Sequence, residues 1–242
     1  MSQSLFISDL HLADERPATV ALFLRFAAGR ARDAERLYIL GDLFDAWVGD
    51  DDSDGCHGEV IGALRDLTAA GTAVFIQHGN RDFMLGGAFA NSTGAQIIDD
   101  PHRVQLGSVD TLLMHGDLLC TDDVQYQAVR RMVRDPAWQA PLLARPLAER
   151  RALAAEYRKK SGETTSLLPA DIMDVNADTV IETMRAQSVS RLIHGHTHRP
   201  GDFPVALGTT EAERIVLADW HEDGGEVLVA DDNGLHREAV TH

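Results

Sequence analysis

The sequence predicts an α/β fold carrying a helical insertion, on three observations. Five short runs of β-prone apolar residues recur along the chain, Leu5-Phe6-Ile7, Leu37-Tyr38-Ile39-Leu40, Val74-Phe75-Ile76, Leu112-Leu113-Met114 and Leu192-Ile193. Each is continuous rather than alternating, as strands buried on both faces are. Amphipathic helical stretches separate the early runs, Ala18 to Arg30 and His57 to Ala70, and Ala177 to Gln187 leads into the last. The interval between the fourth and fifth runs is too long, because 78 residues separate His115 from His194 whereas a helical crossover between parallel strands takes ~30. With 242 residues and 44% hydrophobic content the chain can bury one large core. The expectation is one domain over 1–242 with an insertion at approximately 122–170.

Every apolar run ends in a polar block: Asp9-Leu10-His11, Gly41-Asp42, Gly79-Asn80-Arg81-Asp82, His115-Gly116-Asp117 and Gly195-His196-Thr197-His198. In open α/β sheets, sites form at the carboxyl ends of strands, so residues far apart in sequence can converge there. Asp oxygens, an Asn carbonyl and neutral His nitrogens are what Mg²⁺ or a first-row dication takes as ligands. A pair of such ions ~3.5–4 Å apart can clamp both the attacking and leaving oxygens of a phosphate ester. The blocks therefore predict a two-metal phosphoesterase. After the last block, Arg214 to Ala218 and Glu226 to Ala230 read as strands joined by the Glu222-Asp223-Gly224-Gly225 turn, expected to belong to a second, partly antiparallel sheet.

The series resembles the signature of the calcineurin-like metallophosphoesterases, D-x-H, G-D, G-N-H-D/E, H and G-H-x-H, except that Arg81 replaces the usual His. Gly41-Asp42-Leu43-Phe44-Asp45-Ala46-Trp47, Gly79-Asn80-Arg81-Asp82-Phe83, His115 to Asp123, Ile172-Met173-Asp174-Val175-Asn176 and Ile193 to Pro200 are similar to the lipid A pathway branch of that superfamily. The resemblance covers almost the whole chain. It implies a four-layer α/β/β/α sandwich with a helical cap. The implied reaction is hydrolysis of a lipid-linked UDP-sugar diphosphate to UMP and 2,3-diacylglucosamine 1-phosphate. Asp9, His11 and His198 would hold one ion, Asn80, His115 and His196 the other, with Asp42 between them and Mn²⁺ as the implied metal. Asp42, Arg81, His115 and His196 would form the catalytic group. Asn80, Arg81, Asp123, Ser161, Thr165 and His196 would contact substrate. Thr165 stands where a relative has Asn, and Leu168 where it has Lys. A soluble nucleotide pyrophosphatase or phosphodiesterase, and a non-catalytic scaffold on this fold, are the alternatives.

The insertion is where charge is concentrated. The chain carries a net charge of −16, yet from Arg130 to Lys160 nine basic residues face three acidic ones, a local +6. The overall acidity argues against a non-specific nucleic-acid binder, which needs a basic surface. Trp138, Leu142, Leu143, Leu147, Leu153 and Tyr157 recur near helical spacing among the arginines, and Pro136, Pro141 and Pro146 divide them into short pieces. By resemblance this is a lid over two acyl chains. Its basic rim could meet anionic headgroups at ~1 kcal/mol per cation.

The expected location is the cytoplasm, peripheral to the inner membrane. Residues 2 to 8 run straight into the first strand without a leader pattern, and no apolar stretch approaches ~20 residues. No obligate protein partner is expected. Cys56 and Cys120 lack CxxC spacing and are expected as reduced thiols. Asp50, Asp52, Asp54 and Gly55 mimic the start of a calcium loop, but its twelfth position is Ile61, so a solvated acidic loop is expected. His78, His194 and His221 are expected to pack or to support ligands rather than to bind metal.

Overall fold

Four consecutive buried residues, Ser4–Ile7, make the opening segment a central strand, β1. In the computed structural model, which describes residues 3–165, 174–208 and 211–242 and only the backbone of 160–165, strands and helices then alternate. They are α1 (Pro17–Ala28), β2 (Arg36–Leu40), α2 (Cys56–Ala69), β3 (Ala73–Gln77), α3 (Gly87–Thr93) and a two-residue β4 (Gln96–Ile97). A hairpin of β5 (His102–Leu106) and β6 (Val109–Met114) leads to α4 (Val124–Val133), α5 (Pro136–Leu143), α6 (Leu147–Thr165) and α7 (Ala177–Ala186). The chain ends with β7 (Arg191–His194), β8 (Gly201–Ala206), β9 (Glu211–Val216), β10 (Gly225–Asp231) and β11 (Gly234–Val240).

The strands form two sheets, ordered β11-β10-β1-β2-β3-β4 and β5-β6-β7-β9-β8. In the first, β1, β2 and β3 run parallel in register, Ile7 beside Ile39 and Ile39 beside Ile76. In the second, β6, β7 and β9 run parallel, Met114 beside His194 and His194 beside Val216. Alternation along β1 and β2 sorts the layers. Leu5, Ile7, Leu37 and Ile39 pack against α1, α2 and α3, whereas Phe6, Tyr38 and Leu40 meet Leu113, Ile193 and Ile215 of the opposite sheet. A third cluster seats Val180 and Met184 of α7 on Leu112, Met114 and Leu192. The result is helix, sheet, sheet, helix in four layers, with all five expected ligand strands ending at one rim.

Two expectations need correction. The segments around Arg214 and Glu226 do not pair with each other: β9 lies beside β7 in the second sheet, while β10 pairs antiparallel with β1 in the first. The reason is burial, since Val227 and Val229 reach the helix-side core of the first sheet and Ile215 the core between the sheets. The acidic loop is also not simply solvated. Asp50 accepts from the backbone N–H groups of Gly86, Ala88 and Phe89 at the start of α3, at 2.9, 2.9 and 3.0 Å. Asp51 pairs with Arg150 and Asp52 with Arg151, which also reaches Asp54 at 3.1 Å. The loop is the counter-charge of the basic insertion, 99 residues away in sequence.

Two of the three prolines divide the insertion as expected, whereas Pro141 lies inside α5 and does not interrupt it. Pro136 opens α5 behind the capping carboxylate of Asp135, which accepts from Ala137 N, and Pro146 stands just before α6. Neither α4 nor α5 contains a buried residue. Among the described residues, no helix is long and apolar enough to cross a membrane.

Candidate metal centre

Backbone conformation singles out the site before any side chain is considered. Six described residues other than glycine have positive φ: Asp9 (55°), His11 (48°), Asp42 (52°), Ser188 (53°), His196 (69°) and His198 (53°). Five of the six are candidate ligands. Left-handed backbone costs an L-residue of order 1 kcal/mol or more and persists only where the surroundings impose it. Here the loops impose it on one another. His11 N donates to Asp42 O at 2.9 Å, Asp9 N to Gly41 O at 3.2 Å and Gly195 N to His115 O at 2.8 Å. Glycine permits this interleaving: a Cβ at Gly79 would lie 2.0 Å from Asp42 Oδ1, and one at Gly195 would lie 2.2 Å from Asp9 Oδ2.

The side chains fall into two groups sharing an acidic centre. Asp9, His11 and His198 bring ligand atoms together on one side, and Asp9, Asp42 and His115 on the other. His198 Nε2 is 3.4 Å from Asp9 Oδ1 and 3.4 Å from His11 Nε2. Asn80 Oδ1 lies 3.1 Å from His115 Nε2 and 3.0 Å from His196 Nδ1. Asp42 Oδ2 faces both sets, 3.7 Å from His11 Nε2 and 3.9 Å from His115 Nε2. All seven sequence-predicted ligands thus converge.

The donor set fits divalent cations. Asp9 Oδ1 is buried without a hydrogen-bond partner among the described residues, while Oδ2 already accepts from Ser8 Oγ at 2.6 Å and His196 N at 2.8 Å. A buried carboxylate oxygen without a hydrogen bond calls for positive charge beside it, from a metal ion or, in its absence, from the His198 ring 3.4 Å away. Burial pushes the His11 and His196 rings down to about 4 and about 3, so they present the neutral nitrogen that a metal requires. Burial pushes Asp42 up to about 7. Burial opposes charge at His115 as well, but the carboxylates of Asp42, Asp117 and Asp9 hold that ring at about 9. The acids are crowded enough to need positive charge beside them.

Supporting residues appear that sequence reasoning did not assign. Asp82 is fully buried; it accepts from Gly79 N and Leu43 N, both at 2.8 Å, and so ties the Asn80 loop to the Asp42 loop. Asp219 lies 3.2 Å from His198 Nδ1 and 2.8 Å from His221 Nε2, fixing the orientation of a candidate ligand. His78 contacts Leu85 O at 2.8 Å and His194 contacts Gly195 O at 2.8 Å, so both pack as expected.

The other predicted residues are placed as follows. Arg81 N donates to Asp42 Oδ1 at 2.8 Å, and its Nε is buried with no partner among the described residues. Asp123 caps α4, accepting from Tyr126 N at 2.8 Å. The side chains of Ser161 and Thr165, and the whole of Leu168, lie outside the described residues. Beside Asn80 and Arg81 opens a chamber of about 540 Å³ that runs under α4, α5 and α6, lined by Trp47, Phe83, Met84, Trp138, Leu142 and Leu153 among others.

This geometry defines a class. Residues 3–200 match the family model of the calcineurin-like phosphoesterases, and the chain belongs to that family, whose members use divalent metal ions. Within it, the chain is 48% identical over 221 residues to a UDP-2,3-diacylglucosamine hydrolase of Cellvibrio japonicus, covering 91% of this chain and 92% of that one. It is 48% identical over 230 residues to the hydrolase of the same name from Salmonella typhi, covering 95% and 96%. It belongs with these UDP-2,3-diacylglucosamine hydrolases.

Proposed function

We propose that this chain hydrolyses the diphosphate of UDP-2,3-diacylglucosamine, adding water at the phosphorus next to uridine and releasing UMP and 2,3-diacylglucosamine 1-phosphate. The observation that carries this reading is adjacency: an apolar chamber between the core and the insertion reaches the metal-ligand cluster at Asn80 and Arg81. Its volume of about 540 Å³ is within the ~300–1,000 Å³ usual for small-molecule sites. A nucleotide phosphodiesterase needs the cluster but has no use for an apolar chamber.

Asp9, His11 and His198 would hold one divalent ion and Asn80, His115 and His196 the other, with Asp42 between them. When bound, two such ions supply Lewis acidity toward a phosphoryl oxygen and acidify a water. Mn²⁺ suits the mixed oxygen and nitrogen donors. Only Asp9 and Asp42 among the seven are carboxylates, so two dications leave roughly +2 for the diphosphate to neutralise. Arg81, whose Nε lacks a protein partner among the described residues, meets the phosphoryl oxygens by charge-assisted hydrogen bonds. Asp123, Ser161 and Thr165 would contact the sugar and phosphate.

The same reading puts the protein at the cytoplasmic face of the inner membrane. Five of the nine basic residues between 130 and 160 are paired within the protein, Arg130 and Arg134 with Asp117 and Arg150, Arg151 and Arg158 with the acidic loops. Membrane contact therefore rests on exposed Val124, Met132 and Leu143 with Arg131 and Arg145 beside them.

The test is to incubate chelator-stripped protein with UDP-2,3-diacylglucosamine, with and without Mn²⁺, and identify products by mass spectrometry. UMP formed only with the metal supports the reading. Absence of UMP, with rapid turnover of simple nucleotides instead, sinks it.

A further inference from the structure

One carboxylate joins the insertion to one half of the metal centre. Asp117 follows His115 by two residues, and Gly116, at a φ of 123°, lets the turn send His115 into the cluster and Asp117 the other way. The Asp117 side chain is fully buried, and its Oδ2 takes three donors from the α4 segment: Tyr126 Oη at 2.7 Å, Arg130 Nε at 2.7 Å and Arg134 Nη2 at 3.4 Å. Gln127 Nε2 donates to the Asp117 carbonyl at 2.7 Å.

The donors on Asp117 also touch the remaining ligands of the same half-site. Arg134 Nη2 donates to Gly79 O at 2.9 Å, the carbonyl directly before Asn80. The Tyr126 ring stacks on His196, centroids 6.0 Å apart and planes 29° apart. α4 thus reaches the His115 loop through Asp117, and the Asn80 loop and the His196 ring through the same side chains that Asp117 holds. Around the other half-site the arrangement differs. His11 faces Asp45 at 3.8 Å, Asp45 pairs with Arg158 of α6, and His198 is held by Asp219 outside the insertion.

We propose that Asp117 is a positioning residue that couples helix α4 to the Asn80, His115 and His196 half-site, so that divalent cation binding there and the ordering of α4 are linked. The inference rests on the two-ion reading above but not on the substrate. Linkage is reciprocal: if an ordered α4 favours the ion, the ion must favour an ordered α4 to the same degree. All three donors reach Oδ2, and two of them are guanidinium groups, so an amide in place of the carboxylate can still accept there but loses the charge that strengthens those bonds.

The test uses Mn²⁺ as probe with the full chain, and two readouts. Calorimetric titration of wild type should resolve two sites; in Asp117→Asn one weakens by ~10-fold or more, the size of effect that outer-shell partners have on metal affinity, and the other is unchanged. Hydrogen exchange of amides 124–133 should slow when Mn²⁺ saturates wild type, and should not respond in Asp117→Asn. Tyr126→Phe, which keeps the ring and loses one donor, gives a smaller effect in the same direction should the Asn variant fail to fold. Asp51→Asn, on the α6 side, leaves both ion affinities as in wild type. Equal loss at both sites, or Mn²⁺ protection of α4 that survives undiminished in Asp117→Asn or, should that variant not fold, in Tyr126→Phe, overturns the coupling while leaving the two-ion reading intact. A wild type that binds fewer than two Mn²⁺ overturns that reading and the coupling with it.

Discussion

The strand-end loops and the helical insertion solve the same problem, holding charge in place, by opposite means. In the loops, Asp9, Asp42 and His115 are buried, their backbones interlock, and five candidate ligands sit in left-handed conformations. In the insertion, α4 and α5 bury no residue; α4 is anchored on the buried Asp117, and α6 is fastened by ion pairs of mixed exposure, Asp51 being 62% exposed and Asp54 79% while Asp52 is buried. Exposed pairs are individually weak and screened by salt. A geometry that must place ions to within a few tenths of an ångström is built from packed backbone, whereas the α6 side of the insertion is fastened largely by ion pairs at the surface.

Substitutions on each side sharpen that contrast. Asp42→Ala removes the group between the two half-sites and should lower turnover by more than ~10³-fold, beyond the cost of a single lost oxyanion donor; a steady-state assay at saturating Mn²⁺ that finds near-normal kcat would break the two-metal assignment. Arg150→Ala removes a guanidinium that donates to Val48 O at 2.6 Å and Asp51 Oδ1 at 2.8 Å. Its partner acid stays solvated, so the expected result is a rise in KM for the diacylated substrate of less than ~10-fold, with kcat nearly unchanged. Wild-type KM should drift the same way between ~0.05 and ~0.5 M salt. A large fall in kcat would place Arg150 with the rigid loops instead.

The smallest expected effect concerns pH. In metal-free protein the raised rings of His115, at about 9, and His198, at about 10, are held by neighbouring carboxylates against burial. A histidine with a raised folded pKa contributes stability that is present below ~6.5 and lost as pH passes through the folded value. Thermal unfolding midpoints of chelator-treated protein should therefore decline from about pH 7 to 10. Saturating Mn²⁺, which takes neutral imidazole, should flatten that decline. Midpoints that rise over this range would contradict the charge arrangement described for the cluster.

What the sequence made legible follows the same division. The ligands could be read because metal ions accept few side-chain types and because strand ends are marked by apolar runs, as at Asp9 after Leu5-Phe6-Ile7. Asp82, Asp117 and Asp219 could not be assigned, since an aspartate's role depends on which donors reach it in space. Asp117 gains its meaning from Tyr126, Arg130 and Arg134, and nothing in one sequence aligns them. The acidic loop was misread for that reason: its partners, Arg150 and Arg151, come from the insertion. The separation of β9 and β10 into different sheets was hidden because sequence adjacency suggests pairing, while burial of Val227 and Val229 against the first sheet decided otherwise.

We propose that the loops set the reaction and the insertion sets the substrate. The most direct measurement is the ratio of kcat/KM for UDP-2,3-diacylglucosamine to that for acyl-free UDP-glucosamine, on the same Mn²⁺-loaded protein. Burial is worth ~0.8 kcal/mol per methylene, so a chamber that takes even part of two acyl chains predicts a ratio above ~100. Comparable values for the two substrates would contradict the claim.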